Sequence, residues 1–272
     1  MGSETKVGVY VDVENMARNG GYGMRYDILR EFASRGGADP VRLNAYVAFD
    51  YGRAQTDQQY KENAFNFHSA LRDFGYKVIQ KPVKWFTDEA GQPYAKANAD
   101  LDMAVDALLQ SEKLDRVLLA TGDGDFVQVV RALQNRGCRV EAVAFNNVSS
   151  ELRREADLFM SGFLIPSLLP VHGGSQAPWS EEGSRVRGVC YSYSHDRSFG
   201  FLRFMREIAS GLWNIDTRKA GSPYASAFAH QSEFPEEIDL DKLPSRDYIF
   251  EFTLFTSERG LQAKDLTVVK HS

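Results

Sequence analysis

Cysteine is scarce in this 272-residue chain: Cys138 and Cys190 stand far apart, with no CxxC or Cys/His spacing. That argues against a disulfide framework and a thiolate zinc site, and leaves buried free thiols in a reducing, cytoplasmic compartment as the expectation. No apolar run reaches the roughly 18–20 residues that a membrane span needs. The opening MGSETKVGVYVDVEN lacks the basic and then apolar regions of a signal peptide, so no membrane-embedded part is expected. Excess positive charge is absent as well. With a net charge of −5, contact with nucleic acid has to come from local basic patches rather than a global field. There is no GxSxG, neither cysteine has a histidine beside it, and His68, His172 and His195 are isolated. Nucleophilic serine or cysteine chemistry therefore gains no support. Internal repeats and low-complexity tracts are missing too, while 43% hydrophobic and 25% charged residues match an ordinary folded protein. At this length two domains are expected.

What the chain does have is a rhythm. Apolar runs at 6–11, 41–49, 76–79, 116–120 and 139–145 read as strands, and the segments 25–36, 57–74, 100–111 and 126–136 read as helices. Strands regularly separated by helices predict an α/β fold, a three-layer α/β/α domain with a mostly parallel sheet. Runs such as VGVYV and VLLA lack clean alternation, as expected for strands buried on both faces. In such sheets ligands sit beyond the carboxyl ends of the strands. The Gly, Ser and Pro content of 171–184 reads as a linker. Beyond it, short aromatic and β-branched runs at 185–193, 199–204, 225–230, 248–255 and 262–269 predict a small all-β barrel or sandwich. The expected domains are thus 1–170 and 185–272.

Acidic residues punctuate the predicted strand ends. Asp12 closes the first strand, Asp123 and Asp125 follow VLLA in ATGDGDF, and Asp100 opens a helix. Asp and Gly also suit a plain turn, so Asp123 and Asp125 read either as turn residues or as ligands. On a helical wheel Leu101, Ala104, Val105 and Leu108 form the stripe expected to face the core. Asp100 lies at its border, while Asp102 and Asp106 point elsewhere, most simply to solvent. Carboxylates from separate segments meeting at one sheet edge repel one another unless a hard cation neutralises them, and oxygen-only ligands suit Mg²⁺ or Mn²⁺. Such a site serves phosphodiester hydrolysis. Asn15 is either a turn amide or a contact to water or phosphate. Arg18, Arg53, Lys84 and Lys96 are candidate phosphate contacts, and Tyr51, Trp85 and Phe86 are candidate base-stacking or packing aromatics.

YVDVENM at 10–16, KANADLDMAVDAL at 96–108 and TGDGDFVQVVRAL at 121–133 together resemble the NYN-domain proteins, relatives of the PIN-like ribonucleases. The resemblance covers roughly residues 5–170, in motif order, spacing and strand placement. It implies a PIN-like α/β/α fold, a divalent metal and hydrolysis of RNA. The matching positions make Asp12, Asp100, Asp123 and Asp125 the acidic, catalytic and metal-binding cluster, with Asn15 alongside and Asp106 at a recurring acidic position.

In the second half, FGFL at 199–202, AFAHQSEF at 227–234 and GLQAKDLTVV at 260–269 resemble a cold-shock domain, an OB-fold barrel that binds single-stranded RNA. Tyr193, Phe199, Phe201, Phe228 and His230 would occupy its base-stacking positions. From the pattern alone the Phe199 and Phe201 face either packs in a core or stays open for bases. The chain departs from the family in having Arg197-Ser198 ahead of the first aromatic, Ser192 at an earlier Trp position, and a longer connection over 212–225. A metal-dependent ribonuclease whose OB module presents single-stranded RNA is the leading expectation, and a non-catalytic RNA-binding adaptor is the alternative. RNA is the expected partner, with a further copy of the chain or another protein as additional candidates.

Overall fold

The computed structural model describes residues 4–87, 91–96 and 99–270, without the side chains of 93–96 and 270. The chain divides into two compact units, Met1–Tyr22 with Leu29–Met160, and Gly23–Ile28 with Ser161–Ser272. No described helix is long and apolar enough to cross a membrane.

The first unit contains the strands β1 (Lys6–Asp12), β2 (Asp39–Phe49) and β3 (Lys77–Pro82), the hairpin β4 (Lys84–Thr87) and β5 (Pro93–Lys96), then β6 (Arg116–Ala120), β7 (Arg139–Ala144) and β8 (Leu158–Ser161). Between them run the helices α1 (Val13–Met16), α2 (Tyr26–Ser34, of which Tyr26–Ile28 count with the second unit), α3 (Tyr51–Thr56), α4 (Gln58–Asp73), α5 (Asp100–Gln110), α6 (Val127–Asn135) and α7 (Ser150–Glu155). Six strands form one sheet in the order β3-β2-β1-β6-β7-β8, with the pairs from β3 through β7 parallel. From Val7 to Asp12 every residue of β1 is buried, as are Val117 to Ala120 of β6, which is why neither run alternates. The chain winds outward from β1 through β2 and from β6 through β7. The β1/β6 junction is therefore the switch point at which such sheets bind ligands. Register aligns the ends there: Asp12 lies opposite Tyr46, and Val11 opposite Ala120.

The helix α5 is turned partway from the orientation its wheel predicts: Ala104 and Leu108 pack partly buried against the core, whereas Leu101 and Val105 do not. Met103 and Ala107 are buried, while Leu101, Val105 and Leu109 are 65%, 44% and 69% exposed. Met103 and Ala107 pack in one cluster with Tyr10, Tyr46 and Val117. That rotation corrects the expectation for two carboxylates. Asp106 accepts a hydrogen bond from the Tyr46 hydroxyl at 2.7 Å, and Asp102 pairs with Lys81, so neither is simply solvated.

The second unit contains β9 (Arg185–Ser194), β10 (Phe199–Met205), β11 (Tyr224–His230), β12 (Ile249–Ser257) and β13 (Gly260–Lys270). They form a closed barrel in the order β10-β11-β13-β12-β9, the one parallel pairing being β11 with β13. This OB-like closure leaves no free sheet edge. Val186, Cys190, Leu202, Phe204, Phe250 and Phe252 fill its interior. Residues 171–184 pack against this same unit: Trp179 covers the core and donates from Nε1 to the Met205 carbonyl at 2.8 Å.

Candidate functional site

The strand β1 delivers Asp12 to the sheet edge, where it also caps α1, its Oδ1 accepting from the Asn15 amide at 3.0 Å. Only 6% of Asp12 is exposed. Burial pushes its carboxyl up to about 6, and the neighbouring carboxylates of Asp100, Asp123 and Glu14 push the same way, against the Asn15 hydrogen bond. Asp100 at the start of α5 and Asp123 after β6 line one cavity with Asp12, of about 200 Å³, together with Glu14, Asn15, Arg18, Asn19 and Tyr46. Three of the four carboxylates expected to meet, Asp12, Asp100 and Asp123, thus line one cavity.

Asp125 stands apart. It is exposed and absent from the cavity wall, and its backbone N–H donates to Asp123 Oδ1 at 2.9 Å. The ATGDGDF turn is therefore both a turn and a mount for Asp123, since a carboxylate has roughly four acceptor sites and one hydrogen bond does not exhaust them. The second of its two glycines keeps a close approach: a β-carbon at Gly124 would stand 2.9 Å from Ser149 Oγ.

Asn15 spends its side-chain oxygen on the Gly122 N–H at 3.0 Å, tying the segment after β1 to the turn after β6. This is the amide role among the alternatives its position allowed. Asn15→Ala leaves that N–H without its acceptor, which costs about 1–3 kcal/mol. A denaturant melt of the first unit should report that loss, and a change below about 0.5 kcal/mol would contradict the role.

Beneath the cavity a polar network aims Tyr46. Its hydroxyl donates to Asp106 and meets Asn44 Nδ2 at 3.3 Å, while Tyr10 donates to Gln110 Oε1 at 3.2 Å. Burial first, and then the hydrogen bond to Asp106, hold the Tyr46 phenol above its ordinary range, so it stays a neutral donor. Arg18 lines the cavity but pairs with Glu14 at 2.9 Å. Arg53 pairs with Asp57 at 2.9 Å and lies over the Tyr60 ring, away from that wall. The Lys96 side chain falls outside the described residues. Sequence reading missed Glu14, Asn19 and Tyr46; Glu14 lies inside the YVDVENM motif, whereas Tyr46 enters through the pairing of β2 with β1, which one strand's pattern does not contain.

In the second unit, Phe199, Phe201 and Phe228 bring their rings together on the outer face of β10 and β11, with centroids 5.3 to 6.0 Å apart. The intervening Gly200 and Leu202 are buried, so the aromatic face is not the core face. His230 lies opposite Phe199 and is exposed, its Nδ1 at 2.9 Å from Ser232 Oγ. Tyr193 separates from them: it sits opposite Gly200 and packs edge-on against His195 and Phe234.

Comparison with known proteins identifies a family for the first unit. The NYN domain model matches residues 6–167. The chain is 26% identical over 163 residues to the "Low amplitude and bright protein LabA" of Synechococcus elongatus, covering 57% of this chain and 83% of that one. A solved structure of a protein of unknown function from Vibrio parahaemolyticus is 26% identical, at a TM-score of 0.47, covering 59% of this chain and 94% of that one. The doubly covered sheet, the acidic edge and the match over 6–167 agree: the chain belongs to the NYN-domain family, within the PIN-like nuclease superfamily.

Proposed function

We propose that this protein is a metal-dependent ribonuclease, and that its barrel helps to bind single-stranded RNA. The observation that carries this reading is the convergence of Asp12, Asp100 and Asp123 on one cavity, with Asp12 buried and its carboxyl raised by burial and by the neighbouring acids. A buried carboxylate among carboxylates is costly alone and suits a hard cation. Asp12, Asp100 and Asp123 would hold Mg²⁺ or Mn²⁺. When bound, such an ion supplies positive charge against the scissile phosphate and activates water. Asp125 holds the loop that presents Asp123, Asn15 fixes that loop to the segment after β1, and Arg18 meets the phosphate backbone. The phenylalanine face of the barrel stacks on unpaired bases, with His230 at its end. Two buried free thiols support a reducing compartment, and the cytoplasm is the proposed location.

One observation favours a second reading. Among the described residues no three His, Cys, Asp or Glu side chains are gathered closely enough to hold a metal on their own. An RNA-binding adaptor without turnover would need no such cage. Mg²⁺, however, is commonly held by one or two carboxylates, waters and the substrate's own phosphates, which fits an open acidic cavity.

The deciding experiment is incubation of labelled single-stranded RNA with the protein and Mn²⁺. Cleavage that EDTA stops, and that Asp123→Asn lowers by roughly a hundredfold or more, is expected. RNA binding without cleavage by the wild type would favour the adaptor. Cleavage unaltered in Asp123→Asn would remove this site from the account.

A further inference from the structure

Along β10 the outward positions run Phe199, Phe201 and Arg203, and the last continues the aromatic face with a charge. Arg203 lies opposite Ser226 on β11, one step along from the Phe201/Phe228 pair. Its guanidinium is 5.3 Å from the Tyr191 ring centroid and 5.8 Å from that of Tyr224. Register slips between Phe201 and Leu202 against β9, and Tyr191 occupies that irregularity. The bulge directs its side chain outward, where its hydroxyl reaches Ser226 Oγ at 3.0 Å, so the phenol spans β10 from β9 to β11. Tyr224 is fixed from the other side, donating to the Leu212 carbonyl at 3.0 Å within the lengthened connection. Two tyrosines held by their hydroxyls thus frame one guanidinium.

The charge in this frame is uncompensated. Burial lowers the Arg203 pKa, the charge of Arg246 acts in the same direction, and Tyr224 and Tyr191 act against it. Among the described residues no carboxylate pairs with Arg203, whereas Arg185 and Arg187 of the same barrel both reach Glu251. A half-buried cation set among aromatic rings, with no carboxylate paired to it among the described residues, favours an anion. An arginine plane set among rings and next to a stacking face is the combination that binds single strands: bases on the rings, backbone phosphate on the guanidinium.

We propose that Tyr191, Arg203 and Tyr224 form a further subsite for single-stranded RNA, extending the Phe199/Phe201/Phe228 face by a phosphate-binding cation. This rests on the reading of that face as a base-binding surface. By strand geometry, Arg203 stands about 13 Å from Phe199 along β10, so the subsite lengthens the track without displacing a base from it.

The test is fluorescence anisotropy of the full chain with fluorescein-labelled oligouridylate in EDTA, across a salt series. Removing one phosphate-neutralising charge should flatten the slope of log K against log salt by about 0.7. Arg203→Gln is expected to weaken binding about tenfold and to flatten the slope by that amount. Arg203→Lys should keep the slope while weakening affinity, because the charge remains and the planar stack does not. Phe201→Ala should weaken binding with the slope unchanged. Wild-type melting temperatures in the Arg203 variants would confirm that the barrel is intact. If Arg203→Gln leaves affinity and slope unaltered while Phe201→Ala weakens binding, the subsite is overturned and the aromatic face stands. If the wild type binds no oligouridylate, both fall together.

Discussion

Replacing Asp12 with Asn is expected to stabilise the metal-free protein above pH 6 while removing the proposed nuclease activity. The carboxyl of Asp12 is raised from 3.8 to about 6 in the folded chain, so folding favours the protonated form. Its contribution to stability is fully present below about pH 4 and is lost as the pH rises through about 6. At pH 7 to 8 the ionised group therefore lies on the order of 2–3 kcal/mol above a neutral one. An Asn at this position carries no charge and still offers an oxygen to the Asn15 amide, so the cap survives. Thermal unfolding of the first unit should rise by roughly 5 °C at pH 8 and by nearly nothing at pH 4. A variant less stable than wild type at pH 8 would show that Asp12 is held by a favourable interaction, contrary to the strained acidic edge described above. Addition of Mn²⁺ should narrow the difference, because an ion that binds only the folded wild type stabilises it by mass action.

The second large effect concerns Glu251 on β12. It is fully buried, and it accepts from Arg187 Nε at 2.8 Å, Arg185 Nε at 3.2 Å and the His172 amide at 2.9 Å. Arg187 is itself 2% exposed and also donates to the carbonyls of Leu169 and Pro170. One carboxylate thus neutralises the barrel's buried cation and fastens residues 169–172 to β9 and β12. Glu251→Ala leaves Arg187 buried and uncompensated, which should cost about 3–5 kcal/mol. Glu251→Gln should fall between, since it keeps acceptors but not charge. Chemical denaturation followed by fluorescence of Trp179 and Trp213 reads this directly. A loss under about 1 kcal/mol for Glu251→Ala would mean that the arginine finds other partners.

Much of the architecture was legible because strands buried on both faces have to be apolar throughout. VGVYV and VLLA announced themselves, and their ends fell where Asp12 and Asp123 meet. The barrel's strands were legible from alternation: Phe199, Phe201 and Arg203 face outward between Gly200, Leu202 and Phe204. What escaped was whatever depends on a neighbour. On α5 the wheel alone does not decide which apolar residues lie innermost; packing in one cluster with Tyr10 and Tyr46 buries Met103 and Ala107 most deeply. That packing turned Asp106 onto Tyr46, a contact no wheel of α5 contains. Tyr191 and Tyr193 share a parity within β9, yet the register slip against β10 sends Tyr191 out over Arg203 and leaves Tyr193 against Phe234. A bulge is a relation between two strands, so one strand's pattern does not reveal it.

Asp123 shows how a local motif acquires meaning from its surroundings. Taken alone, ATGDGDF forms a tight turn in which Asp123 accepts from the Asp125 amide. With Asp12 opposite and Asp100 on α5, the same carboxylate becomes one wall of an acidic cavity. The central claim is that this cavity takes a divalent cation, and direct titration of Mn²⁺ followed by the EPR signal of the free ion tests it. Wild-type protein should bind Mn²⁺ saturably, with competition by Mg²⁺, and Asp12→Asn and Asp123→Asn should each weaken that binding at least about tenfold. Equal binding by all three proteins, or none by the wild type, would contradict it.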